Sequence, residues 1–563
     1  MIPACIILTL LIGGLLAWMA GHDNPLHAKI ISLGALAISA FLWVVLLIKN
    51  FSGLRQGAFV SEFSVPWIPQ IGVSVHLAAD GLSLAFIALT IVLGIVSVFG
   101  SWNEVTKRVG FFHFNLLWVL AGVAGVFMSF DMFLFYFFWE MMLIPMYFLI
   151  AIWGHEKKTY ASIKFFIFTQ ASGLFMLLSI LALFYFHGRA TGNFTFDYFA
   201  LLQDRAAMSM GARTAMLVML GFFAAFAVKL PAFPFHSWLP DAHTEAPTAG
   251  SIVLAGLLLK TGGYGLIRFV LPLFPEASAR FAPVAITLGV IGVLYGAVLA
   301  FSQQDMKRLI ADTSISHMGF VLIGIFALNQ TALTGAFIEM LAHGVSTGML
   351  FFIAGTLADR VGTRDMARIS VAAERPLWSA TPRIGSIGII FALASMGLPG
   401  MGNFVGEFLV LFGAFVAHPA VAIIASLGMV AATAYSLRLI RKTFFGGKGR
   451  ERVSAPVLPG KLADFNMGEA AVSAAMIMAI VWLGIYPQPI INTVGPVLGK
   501  AIASQQSAAP VKQAQAGPGG GTGQGCHSVT KCGLHKKTLY IDGVLQGGRE
   551  YGGEKGVQWA PGN

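Results

Sequence analysis

Apolar runs of about 20 residues, the length a helix needs to cross roughly 30 Å of hydrocarbon, recur along the chain from Ile2 to about residue 487. Short segments carrying Gly, Pro and charge separate them. Backbone polar groups in lipid must satisfy one another, so such runs are helices. The stretch from Phe133 to Ile150 lacks the alternation of a membrane β-strand, which excludes a barrel. The pattern predicts an all-α polytopic membrane protein of about fourteen spans. They lie near residues 2–19, 28–48, 81–101, 110–129, 132–153, 161–186, 213–230, 247–270, 281–301, 308–328, 332–356, 385–414, 419–437 and 468–487.

Loop charge tests that count. Alternate loops are basic: Lys107 and Arg108; Lys157 and Lys158; Lys307 and Arg308; Arg360, Arg364, Arg368, Arg375 and Arg383; and Arg438, Arg441, Lys442, Lys448, Arg450 and Arg452. The remaining loops are poorer, holding Lys49, Arg55, Arg189, Arg205, Arg213 and Arg280. By the positive-inside rule the basic set faces the cytoplasm and both termini lie outside, in the periplasm of a bacterial inner membrane. Lys307 and Arg308 are read as cytoplasmic anchors only. The first run begins at Ile2 with no cation before it and no small-residue cleavage site after it, so it is expected to be a retained span.

At 57% hydrophobic and 11% charged, the composition removes ordinary soluble classes. The net charge of +11 sits in inter-helix loops and makes no nucleic-acid patch. Cys5, Cys526 and Cys532 are too few for an iron–sulfur cluster, and no nucleotide-binding glycine motif follows a strand. No cofactor or metal is therefore expected in the membrane part. After about residue 495 the chain turns polar and Gly-rich, and a disordered tail is expected over 496–563. Within it Cys526, His527, Cys532 and His535 are zinc-ligand types, but their spacing matches no closed zinc motif.

A charge at the bilayer centre costs at least about 2.5–3.5 kcal/mol on insertion scales, so each needs a reason. Glu140 lies about eight residues into its span, near the midplane. Lys229 ends an apolar run and precedes Leu230-Pro231-Ala232-Phe233-Pro234, where the prolines break the helix. Lys260 is central in its span. Glu407 follows the interrupted stretch Gly397-Leu398-Pro399-Gly400. Interrupted spans in both halves of the chain point to inverted repeats around a transport path. For each residue the competing explanation is a structural ion pair or a lysine reaching the interface. Burial disfavours the charged form of either residue type, a property that proton relays need. His317, His343, His236 and His243 add groups that titrate near neutrality, although packing alone would also explain them.

Four stretches carry a family resemblance: FFWEMMLIPMYFLIAIWG from Phe137, KLPAFPFHSWLPDAHTEAPTAG from Lys229, RLIADTSISHMGF from Arg308 and LPGMGNFVGEF from Leu398. Over about residues 1–495 the chain resembles the antiporter-like subunits of respiratory complex I, the bacterial NADH-quinone oxidoreductase, most nearly the subunit M family (chain 4 in mitochondria). The resemblance implies an N-terminal three-helix region (1–109), two inverted five-helix repeats (110–270 and 281–446), a last helix (447–495) and a tail outside the family fold. It also implies that Glu140 pairs with Lys229, that Lys260 is the central relay lysine, that Glu407 lies in the exit half-channel, and that His317 and His343 lie between the half-channels. Partners would be the neighbouring antiporter-like subunits L and N and lipid, with no NADH bound directly. Asp312 stands where the family leads one to expect Tyr or Ser.

Three other readings remain at this point: a cation/proton antiporter subunit of the Mrp type, a membrane-bound hydrogenase subunit, and a scaffold that transports nothing. Asp80-Gly81-Leu82-Ser83 and the stretch Leu230 to Gly250 favour complex I. Residues 488–563 are read as lacking the long amphipathic helix that would mark a subunit L.

Overall fold

In the computed structural model, residues 1–204, 210–371, 376–446 and 462–508 are described. Among the described residues, thirteen helices are long and apolar enough to cross a membrane. They are α1 (Ile2–Ala20), α2 (Pro25–Lys49), α3 (Gly81–Gly100), α4 (Val109–Met128), a span of two parts, α5 (Met132–Met141) and α6 (Leu143–Trp153), α7 (Lys158–Thr191) and α8 (Ala212–Lys229). After the short α9 (Trp238–Glu245) come α10 (Thr248–Leu273), α11 (Pro275–Ser302), α12 (Met306–Phe326) and α13 (Gln330–Val361). Two shorter apolar helices, α14 (Pro382–Ser395) and α15 (Gly402–Ala417), together occupy the expected twelfth span; α16 (Pro419–Phe445) and α17 (Met467–Ile485) follow.

The breaks have local causes. Pro145 removes a backbone donor and crowds the carbonyl four residues before it, so the fifth span divides directly after Glu140 and Met141. Leu230-Pro231 ends α8 at Lys229 in the same way. Between α14 and α15 the chain passes through Gly397 and Gly400, at φ +76° and +93°, where a side chain would be strained. In α10, π turns at Leu254–Leu258 and Leu266–Val270 flank the helical segment that carries Lys260. Such turns often mark functional positions.

Burial orders the bundle. The most hydrophobic stretches of α10, α12 and α13 are wholly enclosed, whereas only 28% of those of α2 and α17 is buried, as expected of helices facing lipid.

Two features depart from the sequence reading. An antiparallel hairpin, β1 (Val60–Ile68) with β2 (Val73–Ala79), lies between α2 and α3. The chain also does not leave the fold at residue 495. Helix α18 (Gln488–Ala508) buries Val494, Val497, Leu498, Ala501 and Ile502 against α3, α10, α11 and α13, so the expected boundary falls inside a packed amphipathic helix. The absence of such a helix cannot then distinguish one subunit type from another. Residues 526–535, with the zinc-type ligands, lie outside the described residues.

Candidate functional site

Glu140 sits in the last turn of α5, and Lys229 is the last residue of α8. Only the lysine is fully buried, at 1% exposure. Its Nζ lies over the rings of Trp139 and Phe165, at 5.4 and 5.5 Å, and has no hydrogen-bond partner. Glu140 Oε1 has none either. The expected ion pair is therefore open in this structure, and the aromatic faces supply the attraction a carboxylate would give. Gly173 on α7 leaves the space that the Glu140 carboxylate fills.

The second group is continuous. Lys260 Nζ is 2.6 Å from His343 Nδ1 and 2.6 Å from the Ala255 carbonyl, which lies in the π turn. A lysine and an imidazole this close cannot both be cationic without severe repulsion, so the pair shares a proton. The His343 and His317 rings follow at 5.4 Å between centroids. His317 Nδ1 lies 2.8 Å from Glu407 Oε1 and 3.3 Å from Glu339 Oε1, so its N–H can donate to either. Its Nε2 faces Ser395 Oγ and Tyr435 Oη, both at 3.3 Å. Asn403 Nδ2 donates to Glu339 Oε1 at 3.1 Å. All these side chains are at most 2% exposed.

Four of the six candidates, Lys260, His343, His317 and Glu407, thus form one buried line, with Lys229 and Glu140 as a separate group. His243 stacks on Phe351 at 4.5 Å, with neither ring nitrogen hydrogen-bonded; His236 packs between Phe233 and Tyr295. Glu339, Asn403, Ser395 and Tyr435 were not singled out in the sequence. For Glu339 a signal existed, because an acid four residues before His343 must share its helix face.

Lys307 needs correction as an anchor. It is 1% exposed and donates to the Ala246 carbonyl at 2.9 Å, with His155 Nε2 3.5 Å away in the loop before α7. Desolvation, with the charges of Lys307 and Arg364, lowers His155 to about 3, leaving it a neutral acceptor. Glu104 accepts from the Thr248 amide at the start of α10, and Arg364 pairs with Asp305 at 3.0 Å and Glu245 at 3.6 Å. Arg308 is more exposed and pairs with Asp241 at 3.3 Å. Asp312 is buried in α12, and neither of its oxygens has a hydrogen-bond partner.

Residues 129–433 match the family model described as NADH:quinone oxidoreductase/Mrp antiporter, TM. That description spans two kinds of complex, and a full-length relative separates them. NADH-quinone oxidoreductase subunit M of Pseudomonas aeruginosa is 50% identical over 504 residues, covering 87% of this chain and 96% of that protein. The chain belongs to the subunit M family. A solved structure of respiratory complex I from Thermus thermophilus with bound NADH contains a similar chain, with TM-score 0.75, 30% identity and coverage of 89% of this chain and 99% of that one. A chain of the Mrp complex from Dietzia sp. DQ12-45-1b superposes equally well, with TM-score 0.75 and coverage of 90% and 97%, but at 19% identity it shares the fold alone. In this subunit M family member, Lys260, His317, Glu339 and His343 lie on the wholly enclosed α10, α12 and α13, and Glu407 is buried on α15.

Proposed function

We propose that this subunit M family chain carries protons across the membrane along Glu140, Lys229, Lys260, His343, His317 and Glu407, as part of the membrane arm of NADH-quinone oxidoreductase. The enzyme is a translocase whose redox chemistry is carried out by other subunits. The observation that carries the reading is the Lys260–His343 contact at 2.6 Å beside the His317–Glu407 contact at 2.8 Å, all four side chains being at most 1% exposed. Charges so deep are costly, and groups that share protons lower that cost while providing steps for transfer.

In this reading the basic-loop side is cytoplasmic and both termini are periplasmic. The proton enters at Glu140 and Lys229, passes to Lys260 and leaves past Glu407. Closing the Glu140–Lys229 pair would hold a proton on the lysine, and opening it would release that proton to the next group. The interrupted spans at Lys229 and before Glu407 support two inverted repeats, 110–270 and 281–446, related across this line. The neighbours would be the antiporter-like subunits L and N. An Mrp-type or membrane-bound hydrogenase subunit is less consistent with the 50% identity to a complex I subunit. A scaffold leaves the buried lysines without a reason.

The test is Glu140→Gln, with assembly, NADH-driven quinone reduction and proton uptake measured together in inverted membrane vesicles. Loss of both activities in an assembled complex supports a coupled path through this chain. Unchanged pumping removes Glu140 from it and favours the scaffold.

A further inference from the structure

The end of the buried line holds more acceptors than its donors can serve. Glu339 and Glu407, on α13 and α15, present four carboxylate oxygens to one His317 Nδ1–H and one Asn403 amide contact. Glu339 Oε2, Glu407 Oε2 and the Asn403 carbonyl oxygen are all buried without a hydrogen-bond partner, on side chains that are 0% exposed. One ligand atom from each of His317, Glu339 and Glu407 lies within 4.8 Å of the others. Two carboxylates that close, out of water, cannot both keep a full negative charge against a single imidazole. A positive species must join them.

The backbone is arranged to make this meeting possible. A Cβ on Gly406 would come within 2.6 Å of the Glu339 backbone, and one on Gly335 within 2.5 Å of the Val410 amide. Glycine at both positions lets α13 and α15 touch, and the residues beside and one turn from this contact are Glu407 and Glu339.

We propose that Glu339 is a further proton-accepting group of the path: it shares one proton with Glu407, with His317 between them, so that the line ends in a paired acid. The proposal rests on the proton-transfer reading above. The transfer balances simply. His317 gives its Nδ1 proton to Glu339 or Glu407, and the imidazole takes back a proton from the His343 side. When one carboxyl is protonated and His317 is cationic, the three groups sum to zero charge; when the proton leaves, one uncompensated negative charge remains to draw in the next. A small monovalent cation bound by the same oxygens is the alternative occupant.

The experiment uses the assembled complex in inverted vesicles and compares Glu339→Gln, Glu407→Gln, the double variant and Glu339→Asp, with Glu140→Gln and Lys260→Met as references. Glu339→Gln should lower coupled proton uptake at least about ten-fold, as removal of a proton-transfer group does. The double variant should be no worse than either single one, because the two act as a unit. Glu339→Asp, which keeps the acid, should recover part of the rate. Independently of transport, infrared difference spectra should show a protonated-carboxyl band that deuterates, is lost in Glu339→Gln and is shifted in Glu339→Asp. If Glu339→Gln fails to assemble, Glu339→Asp decides: an unshifted band overturns the proposal. Normal pumping by assembled Glu339→Gln, while Glu140→Gln and Lys260→Met fail, overturns it and leaves the proton-transfer reading intact. Normal pumping by all three removes that reading as well. Sodium dependence of wild-type pumping that vanishes in Glu339→Gln assigns the site to a cation and overturns the paired acid.

Discussion

A single missing methyl group decides whether Glu140 can occupy its position. Its Oε1 fills the space that a Cβ on Gly173 would take, so Gly173→Val must turn the carboxylate away from α7. The expected outcome is an assembled complex with proton uptake reduced towards that of Glu140→Gln; uptake equal to wild type would mean that the carboxylate needs no fixed position. Outside the membrane, His76 on β2 contacts Asp197 and lies 2.9 Å from Glu62. Burial would lower His76, but the hydrogen bonds and charges of Asp197 and Glu62 outweigh it and raise the ring above 6.5. A raised histidine stabilises the folded hairpin fully below its unfolded value, and that stabilisation is lost as pH rises through the higher folded value. Hydrogen exchange of residues 60–79 should therefore slow as pH falls to about 6, after correction for intrinsic rates. In His76→Gln that dependence should vanish. At this scale the sequence was legible where an ionisable residue interrupted an apolar run, as at Glu140, Lys229, Lys260 and Glu407. It was not legible for Tyr435 and Ser395, whose polar atoms are ordinary in any helix and gain meaning only from the ring of His317 beside them.

Helix breaks are the feature of the elements that positions chemistry. Prolines marked the ends of α8 and α14 in the sequence, and glycines at 397 and 400 marked the turn between α14 and α15, so two of the interruptions were readable in advance. The π turns of α10 were not, because no residue type is required for an extra residue in a turn; packing against α13 selects it. The α13–α15 contact is specified by small residues at Gly335, Gly406 and Gly413. Gly406→Val should push the two helices apart and separate Glu339 from His317. Proton uptake should fall even though no ionisable group is lost, and a cysteine pair placed across the contact should cross-link less readily than in the parent. Unchanged cross-linking would mean that the seam absorbs the side chain. By contrast, Gly397→Ala leaves the α13–α15 contact alone: at φ +76° an L-residue costs about 1–2 kcal/mol, and its Cβ would lie 3.1 Å from Glu407 Oε2, so thermal stability should fall with the cross-link retained.

For the molecule as a whole, the question is what joins the N-terminal helices to the half that carries the buried line. The sequence pattern placed both groups of spans but could not pair Asp80 with Arg268, because a separation of 188 residues leaves no periodic trace. In the fold, Asp80 caps α3 through the Ser83 amide and also takes both close contacts of Arg268 Nη2, at 2.7 and 2.6 Å. The guanidinium lies over Phe59, Phe130 and Tyr264, at 5.6, 5.3 and 5.3 Å. Tyr264 donates to the Phe127 carbonyl and Tyr198 to the carbonyl of Arg268, so one ion pair ties α3, α4, α10 and the segment after α7 together. Asp80→Asn keeps a good helix cap while leaving the buried guanidinium without its counter-charge, and such a loss costs about 3–5 kcal/mol. The amount of assembled complex should fall sharply. A double change, Asp80→Asn with Arg268→Met, removes both charges and keeps the aromatic packing, so assembly should recover most of the way. Equal defects in the single and double variants would mean that the pair is not what holds the two halves together, and the apolar contacts of α3 with α10 and α13 would have to bear that role.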